Sequence, residues 1–231
     1  MKDIFGKMRE VVPYMMADPL TKDEMDELYL YEAAICKIKD KTSGIGTGFF
    51  CEINGDAIPF KKALFTNNHV LNEEYIEKNK EIEFEYCKEK KKIKITENRK
   101  TFTKKELDYT CIEIFDTDEI NKFFKIDEDI INNKESLIDK EIFILQYPLG
   151  KLGHAPGIII DFKDGFLIHS ASTLSGSSGS PLIKRYNLNF IIGIHNGEAK
   201  VNISGKETTY NLAISFGSII KDLKNQIFYF K

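Results

Sequence analysis

The residues best suited to chemistry lie in Thr173-Leu-Ser-Gly-Ser-Ser178-Gly-Ser-Pro-Leu182. Small residues crowd together where a backbone must turn sharply, present one hydroxyl to a cleft and leave its own N–H groups facing a developing negative charge. Ser178 is the candidate nucleophile. Taken alone the stretch also reads as a Gly/Ser-rich linker. A serine hydroxyl is weakly nucleophilic at neutral pH and requires a neighbouring base to take its proton as it attacks. Two upstream stretches supply the missing groups. In Ala63-Leu-Phe-Thr-Asn-Asn-His69-Val-Leu71 an apolar run ends in small polar residues and a histidine, as a strand delivering an imidazole to a loop would. In Leu107-Asp108-Tyr-Thr-Cys-Ile-Glu-Ile114 an aspartate directly precedes a strand that alternates apolar and polar. Glu106 is a near rival without an apolar strand directly after it.

In the order His69, Asp108, Ser178 these residues resemble the catalytic set of the trypsin-like, chymotrypsin-fold serine peptidases. The nucleophile motif of that family, Gly-x-Ser-Gly-x-Pro, is matched by Gly176 to Pro181. Chain order separates this family from others that use the same three residues, and the α/β-hydrolase elbow is not met because Ser180 stands where its second glycine belongs. The resemblance covers roughly residues 30 to 225 and rests on these three motifs. It implies that His69 acts as general base and then general acid, and that Asp108 holds the imidazole tautomer. The backbone N–H groups of Gly176 and Ser178 would form the oxyanion hole. No metal or cofactor is required.

The resemblance extends to specificity. His195 lies in Ile192-Gly-Ile-His195-Asn-Gly197, on the strand that walls the primary pocket in trypsin-like folds, with Gly193 and Asn196 beside it as further substrate-binding candidates. Thr173 and His195 are similar to the threonine and histidine that line the pocket of glutamyl endopeptidases. A comparable pair occurs in viral chymotrypsin-like cysteine peptidases that cut after glutamine. An imidazole N–H and a threonine hydroxyl donate to a carboxylate or amide oxygen, so cleavage after Glu is expected, with Gln or Asp as rivals. Ser172 occupies the position where a pocket carboxylate for Lys or Arg would stand. His154 and His169 are assigned to loop and strand surface.

These residues need elements to position them. Short strands separated by turn signals fill both halves, from Gly48-Phe-Phe-Cys-Glu-Ile53 and Glu81-Ile-Glu-Phe-Glu-Tyr86 to Glu141-Ile-Phe-Ile-Leu-Gln146 and Phe190-Ile-Ile-Gly-Ile194. The expected fold is all-β: two six-stranded Greek-key barrels with the active site between them, plus a C-terminal helix carrying Ile219, Leu223 and Ile227. Residues 1–28 read as an N-terminal extension ending in a threonine-capped helix start, 29–120 as the first barrel, 121–138 as a charged crossover interrupted by Asn132-Asn133, and 139–231 as the second barrel with its helix.

The chain has 231 residues, 42% hydrophobic and 12% aromatic, with a formal net charge of −3, which argues against a nucleic-acid or acidic-membrane partner. No stretch approaches the roughly 18 apolar residues of a membrane-spanning helix. Residues 1–20 offer no signal-peptide core. The four cysteines include no Cys-x-x-Cys pair, and a cytoplasmic location is expected. Secreted members of the resembled family carry a disulfide beside the catalytic histidine, where Val70 stands here. The partner is expected to be a peptide or protein substrate, with an intracellular regulatory partner as a further candidate. The rival reading is a non-catalytic or latent peptide-binding module on the same fold.

Overall fold

A computed structural model describes residues 20–39, 44–54, 58–127, 135–203 and 206–229. Most of the N-terminal extension, residues 40–43 and the Asn132-Asn133 interruption lie outside the described residues. Helix α1 (Lys22–Leu30) starts where the sequence signal places it. Thr21 accepts a hydrogen bond from Glu24 N–H at 3.2 Å while the Glu24 carboxylate accepts from Thr21 N–H at 2.8 Å, so each satisfies an orphan donor of the first turn. Glu24 also receives two hydrogen bonds from Arg185, at 2.7 and 3.0 Å. Leu28 is buried, and the chain from residue 20 onward is thus fastened to the body of the protein.

The first half contains β1 (Ile35–Lys39), β2 (Ile45–Glu52), β3 (Lys62–Thr66), β4 (Glu81–Tyr86), β5 (Glu89–Lys94), β6 (Thr101–Lys104) and β7 (Tyr109–Glu113). Alternation explains them locally: in β4, Ile82, Phe84 and Tyr86 are buried while the intervening glutamates are not. The ladder runs β5-β4-β1-β2-β3-β7-β6. Its two ends are consecutive in the chain, and Arg99 spans the break between them. The guanidinium donates to Lys94 O at 2.9 Å and to Glu113 O at 2.6 Å, and its charge is met by the Asp118 carboxylate at 2.7 and 2.9 Å. With β5 and β6 taken as one interrupted strand, the barrel has six. Helix α2 (Glu73–Asn79), capped by Asn72, follows the His69 turn where the sequence shows only a polar stretch.

The second half is built from β9 (Glu141–Gln146), β10 (Gly153–Lys163), β11 (Phe166–His169), β12 (Pro181–Lys184), β13 (Phe190–Ile203) and β14 (Lys206–Ser215). Its order, β12-β9-β10-β11-β14-β13 with β13 returning to β12, is a closed six-stranded barrel. The crossover carries a strand of its own, β8 (Phe124–Ile126), which pairs in parallel with β2 and with β13 and stitches the halves together. Helix α3 (Phe216–Tyr229) closes the fold. Its Phe216 enters the junction against Phe65 and Phe49, with ring centroids 5.2 and 6.0 Å away and edge-to-face geometry. Each fully buried phenylalanine contributes about 2–3 kcal/mol by area alone, so the junction is part of the core. Among the described residues no helix is long and apolar enough to cross a membrane.

Candidate active site

Register brings the imidazole and the carboxylate together. β3 and β7 pair with Thr66 opposite Thr110, so the residues just beyond β3 face those just before β7. His69 rides a turn in which Asn67 O accepts from Val70 and Leu71 N–H, and the buried Val70 and Leu71 pin that turn to the core. Thr110 Oγ1 donates to Leu71 O at 2.6 Å. His69 Nδ1 lies 2.7 Å from Asp108 Oδ2, and His69 N–H donates to Asp108 Oδ1 at 2.9 Å. The imidazole is half-exposed.

Asp108 is held from four sides. Its φ of +50° is left-handed, a conformation that costs a non-glycine residue about 1 kcal/mol or more. Asn67 Nδ2 donates to Asp108 O at 2.9 Å and Asp108 N–H donates to Lys105 O at 3.1 Å. Asn196 Nδ2 donates to Asp108 Oδ2 at 3.0 Å, while Asn196 Oδ1 accepts from Ile214 N–H at 2.7 Å. The sequence reading put Asn196 among the substrate-binding residues; its side chain is occupied by the aspartate. Glu106, the rival carboxylate, lies 3.6 Å from Lys104 Nζ in solvent.

The serine loop is shaped by glycines and by Thr47. Gly176 and Gly179 have φ of +99° and +87°. A Cβ would meet Tyr147 O at 2.3 Å at Gly176, and Thr47 O at 2.0 Å at Gly179, so backbone from elsewhere fills the space a side chain would need. Thr47, buried on β2, makes four bonds, three of them to the second barrel. Its N–H donates to Ser178 O at 2.8 Å and its hydroxyl to Gly176 O at 2.8 Å. The same hydroxyl accepts from Tyr147 N–H at 3.0 Å, and its carbonyl accepts from Thr66 Oγ1 at 2.8 Å. Thr66 ends the strand that leads to His69, so one residue ties the serine loop to the histidine turn. Sequence reasoning missed Thr47; its signal was a lone polar residue inside a buried strand.

Ser177 N–H donates to Leu174 O and Gly179 N–H to His195 O. The N–H groups of Gly176 and Ser178 donate to no backbone carbonyl among the described residues. The Ser178 hydroxyl and the His69 imidazole share no hydrogen bond among the described residues.

Thr173 and His195 flank the loop. Thr173 Oγ1 donates to Asn211 Oδ1 at 2.9 Å, and Asn211 Nδ2 donates to Ala171 O at 2.8 Å. His195 is 2% exposed, and its Nδ1 lies 3.3 Å from Nε2 of His169. His169 corrects the sequence reading: far from lying at the surface, it is fully buried with Nδ1 unpartnered. Strand alternation alone could not tell which face of β11 meets the barrel interior. Burial pushes the His195 imidazole down to about 4, and burial together with the neighbouring His195 pushes His169 well below the ordinary range. Gly193 sits in the barrel wall, where a Cβ would meet Ile214 O at 2.7 Å.

Two barrels with a His–Asp pair and a glycine-shaped serine loop at their junction define a chymotrypsin-like architecture. The trypsin-like peptidase domain family matches residues 46–194, more than half of the chain, and the chain belongs to that family. Among solved structures, the inactive form of the Rv3671c protease is similar, with a TM-score of 0.62 at 15% identity, covering 91% of this chain and 98% of that one. The active form, from M. tuberculosis, is similar at a TM-score of 0.62 and 15% identity, covering 90% and 87%. Likeness at that identity is likeness of fold. A search of curated proteins found no match.

Proposed function

We propose that this peptidase is a serine endopeptidase working through His69, Asp108 and Ser178. The observation that carries the reading is the 2.7 Å contact between His69 Nδ1 and Asp108 Oδ2, which fixes the proton on Nδ1 and leaves the Nε2 lone pair for a hydroxyl. In the proposed reaction Ser178 Oγ attacks the scissile carbonyl and His69 takes its proton, then returns it to the leaving amine. Water, activated by the same imidazole, hydrolyses the acyl-enzyme. The N–H groups of Gly176 and Ser178, free of backbone partners, would receive the oxyanion, each worth about 10²–10³ in rate.

The proposed cleavage follows Glu, with Gln as the second reading. Burial keeps His195 neutral at pH 7, so it offers a hydrogen bond and no cationic charge, which suits an amide as well as a carboxylate. The buried free thiols Cys36, Cys51 and Cys111 support a reducing, cytoplasmic setting. A proteome-derived peptide digest read by mass spectrometry, with Ser178→Ala beside the wild type, is the test. Cutting by wild type alone, mostly after Glu or Gln, is the expected result. Cutting after other residues removes the pocket assignment, equal cutting by both proteins removes the nucleophile, and no cutting by either favours the peptide-binding module.

A further inference from the structure

β9 ends at Gln146, and the chain turns through Tyr147-Pro148-Leu149-Gly150 before β10 begins. This turn packs directly on the serine loop. Leu149 N–H donates to Ser175 O at 2.7 Å, and Tyr147 O fills the space beside Gly176 that a side chain would need. In doing so the turn holds Leu149 at φ +52° and Gly150 at φ +78°. Left-handed backbone is rare for a leucine and persists only where its surroundings impose it. Leu149 is 69% exposed, so packing of its own side chain does not hold it there. The restraint comes from the first barrel. Lys37 on β1 stands opposite Thr47 on β2 and opposite Glu85 on β4, so the three side chains form a row on one face, the face that Thr47 shows to the second barrel. Thr47 Oγ1 accepts from the N–H that starts the turn, on Tyr147. Lys37 Nζ donates to the carbonyl that ends it, Gly150 O, at 3.4 Å, and lies 5.8 Å from the centroid of the Tyr147 ring. Glu85 Oε2 anchors the ammonium from behind at 2.8 Å. The last carbonyls of a helical turn lack partners within it and favour a cation, and the ring face adds to the attraction.

We propose that Lys37 is a positioning residue for the oxyanion hole. With Glu85 behind it, the ammonium fixes the far end of the 147–150 turn, the turn fixes Ser175 and Gly176, and the Gly176 N–H is thereby aimed at the oxygen of the scissile carbonyl. Lys37 acts through Gly150, Leu149 and Ser175, without contact with the reacting atoms. A displacement of about 1 Å at such a donor is enough to cost about 100-fold in rate. The row also divides the work: buried Thr47 holds the near end of the turn, and Lys37, closer to the rim, holds the end that the left-handed residues strain. The proposal rests on the peptidase reading and deepens it.

The probes are a coumarin-amide tetrapeptide ending in the residue that the peptide digest favours, and the aldehyde of the same tetrapeptide. Ser178 Oγ adds to the aldehyde carbon, its proton passes to His69, and the former carbonyl oxygen becomes an oxyanion where the transition state has one. Lys37→Met, which keeps an apolar stem and removes the charge, is expected to lower kcat about 10- to 100-fold with KM within about twofold, and to weaken the aldehyde by the same factor. Lys37→Arg should return kcat to within about threefold of wild type, and Glu85→Gln, which leaves the ammonium unanchored, should lower kcat about threefold in the same pattern. A kcat for Lys37→Met within about twofold of wild type overturns the proposal. So does a loss carried by KM, a loss of kcat with undiminished aldehyde affinity, or an arginine no better than methionine. In 15N-labelled Ser178→Ala protein, which turns nothing over, the amide signals of Ser175 and Gly176 should shift in Lys37→Met and return in Lys37→Arg; unmoved signals also overturn it. If those signals move while wild type neither cleaves peptides nor binds the aldehyde, the peptidase reading falls and the coupling of Lys37 to the serine loop stands.

Discussion

Asn196 shows how much one side chain decides in this site. Its amide bridges the Asp108 carboxylate at 3.0 Å and the Ile214 N–H at 2.7 Å, so the aspartate is oriented by the wall of the opposite barrel. A hydrogen bond to a charged group is worth about 1.5–3 kcal/mol. On the proposed mechanism Asn196→Ala is therefore expected to lower kcat/KM about 10- to 100-fold, with KM for short peptides little changed, because the loss falls on the orientation of Asp108 and His69. Steady-state kinetics beside a melting curve checks this; a variant with wild-type turnover would mean that His69 and Asn67 orient Asp108 unaided. Glu106, two residues from Asp108, is left in solvent beside Lys104, and the strand that opens directly after Asp108 is the sequence feature that separates the two.

Among the elements, α3 reaches furthest into the machinery. Tyr109, the residue after Asp108, is fully buried, and its hydroxyl donates to Asp222 Oδ2 on α3 at 2.6 Å. Gln226 Nε2 donates to the same carboxylate at 2.6 Å and to the Tyr109 hydroxyl at 3.2 Å. Burial first, and the Asp222 carboxylate second, raise the Tyr109 phenol far above its ordinary range, so it acts as a donor throughout. Tyr109→Phe is expected to destabilise the fold by about 1–3 kcal/mol by leaving a part-buried carboxylate short of a donor. Asp222→Asn keeps an acceptor and should cost less. Urea unfolding of the three proteins decides, and equal midpoints for Tyr109→Phe and wild type would remove α3 from the support of the Asp108 turn. Helical spacing of Ile219, Leu223 and Ile227 announced α3 in the sequence; Asp222 and Gln226 stand on the same helix with no local mark of their role.

For the whole molecule, the histidines buried in the second barrel link stability to pH. Burial pushes His195 down to about 4, and burial with the neighbouring His195 holds His169 well below the ordinary range. An unfolded histidine takes up its proton near 6.5, so between 6.5 and 4 the unfolded chain binds protons that the folded chain refuses. Stability is then fully present above about pH 6.5 and is lost as pH falls toward 4, by about 3 kcal/mol for His195 alone. Glu24, held down to about 2 chiefly by Arg185, contributes in a lower window: its stabilisation is present above about 4.5 and fades only below that. Urea midpoints at pH 7.5 and 5 should therefore differ in wild type, and the difference should shrink in His169→Leu and in His195→Leu, each of which removes one of the two buried groups. A wild-type midpoint independent of pH over that span would contradict the burial of the pair.

The sequence by itself determined the local chemistry: the capped start of α1, the alternation of β4, the strand that opens after Asp108 and the glycine-serine turn around Ser178. Each is written in residues a few positions apart, where backbone conformation and polarity period act directly. Tertiary structure alone decided that Thr47 ties the serine loop to the histidine turn, that Asn196 holds the Asp108 carboxylate, that His169 lies behind His195, and that β13 runs on past Ser178. Those outcomes depend on which strands pair and in what register, and pairing between distant segments is settled by burial of a shared core, in which no single residue carries the signal.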